Sequence, residues 1–144
     1  MTEEVTLKAE EFLKIVEEKL QQLLSEEKDS FRQSILRDYI KFVKALRNFI
    51  ETGELSAVQH YIYIERGLEY IYVSLETPTL GIASRVYDVC TLDLNHEKLE
   101  DLVKKIKDRL SELIPQIIED IKREVTETRT VDILQHIPFI RNKH

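Results

Sequence analysis

The chain has 144 residues, of which 42% are apolar and 33% charged, with three Gly, three Pro and no Trp. A single domain of this length buries roughly two thirds of its unfolded surface, and the composition excludes collagen-like, mucin-like and disordered classes. So few turn-forming residues also argue against a small β-sandwich. With 27 acids against 21 bases the net charge is −6, which excludes a general nucleic-acid binder. Contact with phosphates would need a local basic face.

Cys90 is the lone cysteine, so an internal disulfide is impossible and a thiolate zinc site lacks ligands. It reads as a small buried hydrophobe. The acidic start Met1-Thr2-Glu3-Glu4 is followed by no apolar run of the secretory kind. Nothing approaches the roughly 18 apolar residues of a membrane span. A cytoplasmic protein is expected.

The periodicity predicts an all-α bundle of four to five helices over residues 1–126, followed by an extended tail, 127–144, with a short strand. In the first helix, Glu3 to Glu27, Val5, Phe12, Ile15, Val16, Leu20 and Leu23 share one face. Ser30 and Gln33 have the form of a capping box and open a second helix, and Gly53 stands where a left-handed C-cap is wanted. Around that helix Arg37, Lys41, Lys44 and Arg47 occupy one arc away from the apolar stripe, and residues 31–52 carry a net charge of +3. This basic face reads as a solvated helix surface or a contact for an acidic partner or nucleic-acid backbone.

Ser56 and Gln59 repeat the capping pattern and predict a Tyr-rich third helix to about Glu76, with a shorter helix from Thr79 to Cys90. The last long helix is expected to be capped by Asn95, with Glu97 in its first turn. Leu99, Val103, Ile106, Leu110, Leu113, Ile117 and Ile121 recur along it at spacings of four and three, a heptad-like seam. Pro115 should kink this helix without splitting it. The seam serves either internal packing or a second subunit.

Beyond Val125 the pattern changes. Val131 and Ile133 alternate with polar residues and predict a strand from Arg129 to Leu134, which needs a partner edge. Pro138 and Phe139 follow in an extended segment.

Catalytic constellations are missing from the sequence. Gly53, Gly67 and Gly81 lie too far apart to cradle a phosphate, and His60, His96, His136 and His144 include no pair at helical i, i+4 spacing. The acids are expected on outward arcs, away from the burial that paired carboxylates need for acid–base work. No enzyme activity, metal or cofactor is expected.

The order of parts, helical domain, Thr-rich link, then Val131-Asp-Ile-Leu-Gln-His-Ile-Pro-Phe-Ile140, resembles an archaeal GINS subunit whose β domain is reduced or missing. In that family the chain enters the β domain through a segment of apolar residues, a Leu, a Pro and a closing aromatic. Here Val131, Ile133, Leu134, Ile137, Pro138, Phe139 and Ile140 occupy those places. An acidic first helix, a basic second and a Tyr-rich third also look like the family's. The resemblance implies a non-catalytic replication scaffold that assembles with other GINS subunits. Such a scaffold binds the MCM helicase and a Cdc45/RecJ-like protein. Two further readings compete with it. One is a helical adaptor using the basic face; the other is a helical enzyme or ligand carrier with a pocket lined by Tyr61, Tyr72 and Tyr87.

Overall fold

A computed structural model describes residues 3–81 and 83–127. Helices α1 (Glu3–Glu26) and α2 (Ser30–Thr52) form a hairpin. A short 3-10 helix, Leu55–Tyr61, leads into strands β1 (Ile62–Arg66), β2 (Tyr70–Thr77) and β3 (Arg85–Asp93), a second 3-10 turn, Leu99–Asp101, and helix α3 (Leu102–Glu127). The strands form one antiparallel sheet in the order β1-β2-β3.

The hairpin joint is built by acids. Asp29, not Ser30, caps α2: its Oδ2 accepts the Arg32 N–H at 3.0 Å. Gln33 reaches back to the Glu27 carbonyl at 2.7 Å. Glu27 is buried and accepts from the Lys28 and Asp29 N–H groups and the Arg32 guanidinium. At the far end Gly53 adopts φ 68°, and its N–H closes on the Phe49 carbonyl at 2.8 Å, the expected left-handed cap. Along α1 the buried residues among the described side chains are Ala9, Leu13, Val16 and Leu20; the predicted Val5 lies outside them. Ile15, expected inside, is exposed because it sits 200° around the helix from Leu13.

Between residues 56 and 93 the all-α expectation is overturned. The third helix is replaced by a 3-10 turn and a β-hairpin, and the Thr79–Cys90 helix by a loop and β3. The chemistry favouring strands is local. Tyr61-Ile62-Tyr63-Ile64, Tyr70-Ile71-Tyr72-Val73 and Val86-Tyr87-Asp88-Val89 are runs of β-branched and aromatic residues, which fit a pleated sheet better than a helix. Alternation decides the facing: Ile71, Val73, Leu75 and Thr77 are buried, while Tyr70 and Tyr72 are exposed. A β-bulge sets Val89 and Cys90 together opposite Val73.

The predicted start of the last helix also moves. Asn95 does not cap it; its N–H donates to Asp93 Oδ1, and α3 begins seven residues later, after the 3-10 turn. Glu97 stays in the connecting turn, accepting the Asp93 N–H at 2.7 Å and pairing with Lys105 at 2.9 Å. Helix α3 runs unbroken through Pro115, which lies on its exposed side. Its buried face, Ile106, Leu110, Ile114, Ile117, Ile121 and Val125, joins α1, α2 and the inner face of the sheet in one hydrophobic core. The predicted strand from Arg129 to Leu134 lies outside the described residues. No helix among the described residues is long and apolar enough to cross a membrane.

Candidate functional site

The inner face of β2 and β3 is consumed by the core, and the outer face of the sheet is not. Cross-strand pairing places the outward residues in rows: Tyr63 opposite Ser74 and Ser74 opposite Asp88; Glu65 opposite Tyr72 and Tyr72 opposite Thr91; Glu76 opposite Val86. Tyr63, Tyr72 and Val86 are each about half exposed, at 53%, 48% and 55%. Tyr70 lies beside Tyr72, their ring centroids 6.2 Å apart. Tyr63, Glu65, Tyr72, Ser74, Glu76, Val86 and Asp88 line an open concavity of about 980 Å³, with Lys105 and Arg109 of α3 also in its lining and Tyr70 outside it.

The electrostatics of this face are one-sided. Glu65, Glu76 and Asp88 have no cation within 4.0 Å among the described residues, whereas Lys105 is paired with Glu97 and Arg109 with Glu112. The face is therefore aromatic and anionic. Burial pushes the Cys90 thiol upward, against the opposing pull of Lys105 and Arg109.

A second polar cluster lies on the core side. Asp120 and Glu124, one turn apart on α3, interrupt its apolar stripe, contrary to the expectation that the acids lie on outward arcs. Glu124 Oε1 accepts the Leu80 N–H at 2.6 Å, and its Oε2 accepts from Arg85 at 3.2 Å and from the Tyr39 hydroxyl at 3.4 Å. Asp120 Oδ2 accepts from the Tyr87 hydroxyl at 2.7 Å; its Oδ1 accepts from Gln116 and Arg123. Burial first, and then the neighbouring carboxylates, raise the Tyr39 and Tyr87 phenols far above their ordinary range. All four carboxylate oxygens already accept bonds from protein donors. The arrangement is a clamp that holds β3 and the loop before it to α3, with no carboxylate poised for acid–base work.

Other sequence-predicted residues are dispersed. Of the basic face, Lys44 and Arg47 pair with Glu17 of α1 at 3.6 and 2.7 Å, and Arg37 and Lys41 stay exposed. Of the seam, Ile106, Leu110, Ile117 and Ile121 lie in the chain's own core, Leu113 is half-buried, and Leu99 and Val103 are exposed. Val131, Ile133, Pro138 and Phe139 lie outside the described residues. The three tyrosines proposed for a pocket do not converge. Tyr61 stacks edge-on to Phe42, Tyr72 opens on the outer face, and Tyr87 points at Asp120. His96 Nδ1 meets Asp93 Oδ2 at 2.8 Å in an exposed turn, and no group of three or more potential metal ligands occurs among the described residues.

The tyrosine face was missed because the segment was read at helical period. Its signal is present in Tyr70-Ile-Tyr-Val-Ser-Leu-Glu-Thr77, which alternates strictly between the two faces. No family model, curated protein or solved structure matches the chain.

Proposed function

We propose that this chain is a non-catalytic docking subunit whose outer sheet face receives an extended protein segment carrying Lys or Arg between aliphatic residues. The observation that carries this reading is the set of exposed tyrosines among three carboxylates that have no cation partner among the described residues. Tyrosine faces attract Lys and Arg by cation–π contact, contributing about 0.5–1 kcal/mol at an exposed site. The carboxylates add Coulomb attraction of the same order. A nucleic acid could stack its bases on the same rings, but its phosphates would meet Glu65, Glu76 and Asp88 and be repelled. The acids favour the basic peptide.

The GINS-like reading, a scaffold that gathers a helicase and its partners, belongs to the same class: assembly without chemistry. Its Tyr-rich third helix is now a hairpin, and its motif at residues 131–140 lies outside the described residues. The sheet face carries the proposal in their place. The adaptor reading through the basic helix face loses some support, since Glu17 engages Lys44 and Arg47 and offsets one of the four positive charges.

The test is a titration of isotope-labelled protein with an alternating Lys/Val/Arg peptide and, separately, with a 15-nucleotide oligo(dT). Amide shifts should move with the peptide at residues 63–65, 72–76 and 86–91. The double variant Glu76→Lys, Asp88→Lys should weaken the peptide about tenfold, which is ~1.4 kcal/mol, without moving the unfolding midpoint. Shifts confined to other surfaces would overturn the proposal, as would oligo(dT) binding on the tyrosines in preference to the peptide.

A further inference from the structure

The two edges of the sheet differ. On the β3 side, Lys105 Nζ donates to the Thr91 carbonyl at 2.8 Å and Arg109 Nε to the Val89 carbonyl at 3.1 Å. Side chains of α3 thus occupy acceptors that a neighbouring strand would need. Among the described residues no side chain caps the backbone of β1 in this way. β1 also has no Pro, no Lys and no bulge; its charged guards are Glu65 and, at its end, Arg66.

Backbone bonding alternates along an antiparallel pair. Counted from the bond between the Gly67 N–H and the Tyr70 carbonyl, at 2.7 Å, Tyr63 and Glu65 direct their polar groups at β2. Ile64 and Arg66 direct theirs outward. The Ile62 N–H is used by the Gln59 carbonyl, which leaves the Ile62 carbonyl on the open edge. The side chains show the same incompleteness. Ile64 stands opposite Val73, so it lies on the core-side face; Val73 is 3% exposed and Ile64 is 56% exposed. A core-side aliphatic is left open at the rim beside unpaired backbone donors and acceptors.

We propose that β1 pairs antiparallel with β1 of a second copy of this chain about a two-fold axis at Ile64, joining two three-stranded sheets into one of six strands. The edge is self-complementary in that register, as a closed isologous contact requires. Ile64 exchanges both backbone bonds with the partner's Ile64, and the Arg66 N–H meets the partner's Ile62 carbonyl. The two Ile64 side chains cover each other on the core side. On the outer face the Tyr63 hydroxyl stands opposite the partner's Glu65, a donor facing an acceptor. Moving the axis to Glu65 would set two carboxylates face to face, which disfavours that register. A five-residue edge buries less than a standard permanent interface, so the dimer is concentration-dependent. The inference uses the edge and the core-side rim. It shares Tyr63 and Glu65 with the outer face, but peptide binding and pairing at Ile64 are read by different measurements, so either can fail alone.

Light scattering on the full chain over a hundredfold concentration range tests it. The mass should rise from one chain toward two, and the Ile64 amide should gain exchange protection over the same range. Ile64→Lys should abolish the rise while the unfolding midpoint stays put. Ile64→Cys in a Cys90→Ser background should cross-link as a dimer under mild oxidation, because paired Cα atoms lie within disulfide reach. A single-chain mass throughout would overturn the proposal. So would a dimer that Ile64→Lys leaves intact, or an Ile64 amide protected at every concentration in a monomer, which would place another segment of the chain on the edge.

Discussion

Glu124→Ala is expected to lower the unfolding free energy by about 3 kcal/mol, the cost of breaking a largely buried, multiply bonded ion pair. Three donors lose their acceptor together: the Leu80 N–H, the Arg85 guanidinium and the Tyr39 hydroxyl. Arg85 is one third exposed and can turn to water, but Tyr39 is fully buried and Leu80 nearly so. The two orphaned groups in the interior therefore dominate the loss. In a domain of this size the melting temperature should fall by roughly 6–12 °C. Glu124→Gln should cost about half as much, because its amide oxygen still accepts the Leu80 N–H while the charge partner of Arg85 disappears. Chemical denaturation of the three proteins checks the ranking. Equal midpoints for Glu124→Ala and the wild type would show that the clamp contributes nothing to stability.

Phe42→Ala is expected to cost about 4 kcal/mol, within the range for truncating a buried aromatic ring. Phe42 is 2% exposed and makes edge-on contacts with Tyr39, at 6.1 Å, and Tyr61, at 5.4 Å. It ties the middle of α2 to the 3-10 turn that launches the sheet. The transfer term alone is about 2–3 kcal/mol; the cavity and the two lost aromatic contacts supply the rest. Phe42→Leu, which keeps most of the volume, should lose less than half as much. A Phe42→Ala loss under 1 kcal/mol would mean that the core collapses around the site.

The helices were legible because their signals agree at every level. α1 and α2 show the 3.6-residue period, Gly53 marks a left-handed cap, and α3 keeps its buried phase through Pro115. The sheet was not legible at helical period because Tyr61, Ile62, Leu68, Ile71, Tyr72 and Leu75 also fall at spacings a helix would use. Short apolar runs are ambiguous on period alone. Gly67, with Leu68 and Glu69 forming the turn, and the density of Tyr, Ile and Val were the arbitrating signals. The clamp was illegible for a different reason. Asp120 and Glu124 fall inside the apolar stripe of the helical wheel, Glu124 in phase with Ile106 and Asp120 about 20° from Leu113, but only the crossing of α3 over β3 brings them the partners Tyr87, Arg85 and Leu80. The misplaced cap at Ser30 was an error of one residue between two good cap formers, decided by Asp29 reaching the Arg32 N–H.

Everything functional in this account depends on the tyrosines of residues 61–76 being displayed on a sheet. Nuclear Overhauser contacts between backbone protons test that directly. Non-hydrogen-bonded antiparallel partners bring their Cα atoms to about 4.5 Å, so strong Hα–Hα contacts are expected between Ile64 and Val73 and between Ile62 and Leu75. Consecutive amide–amide contacts from Ser56 through Glu76, with none across the pairs, would restore a third helix and remove the tyrosine face altogether.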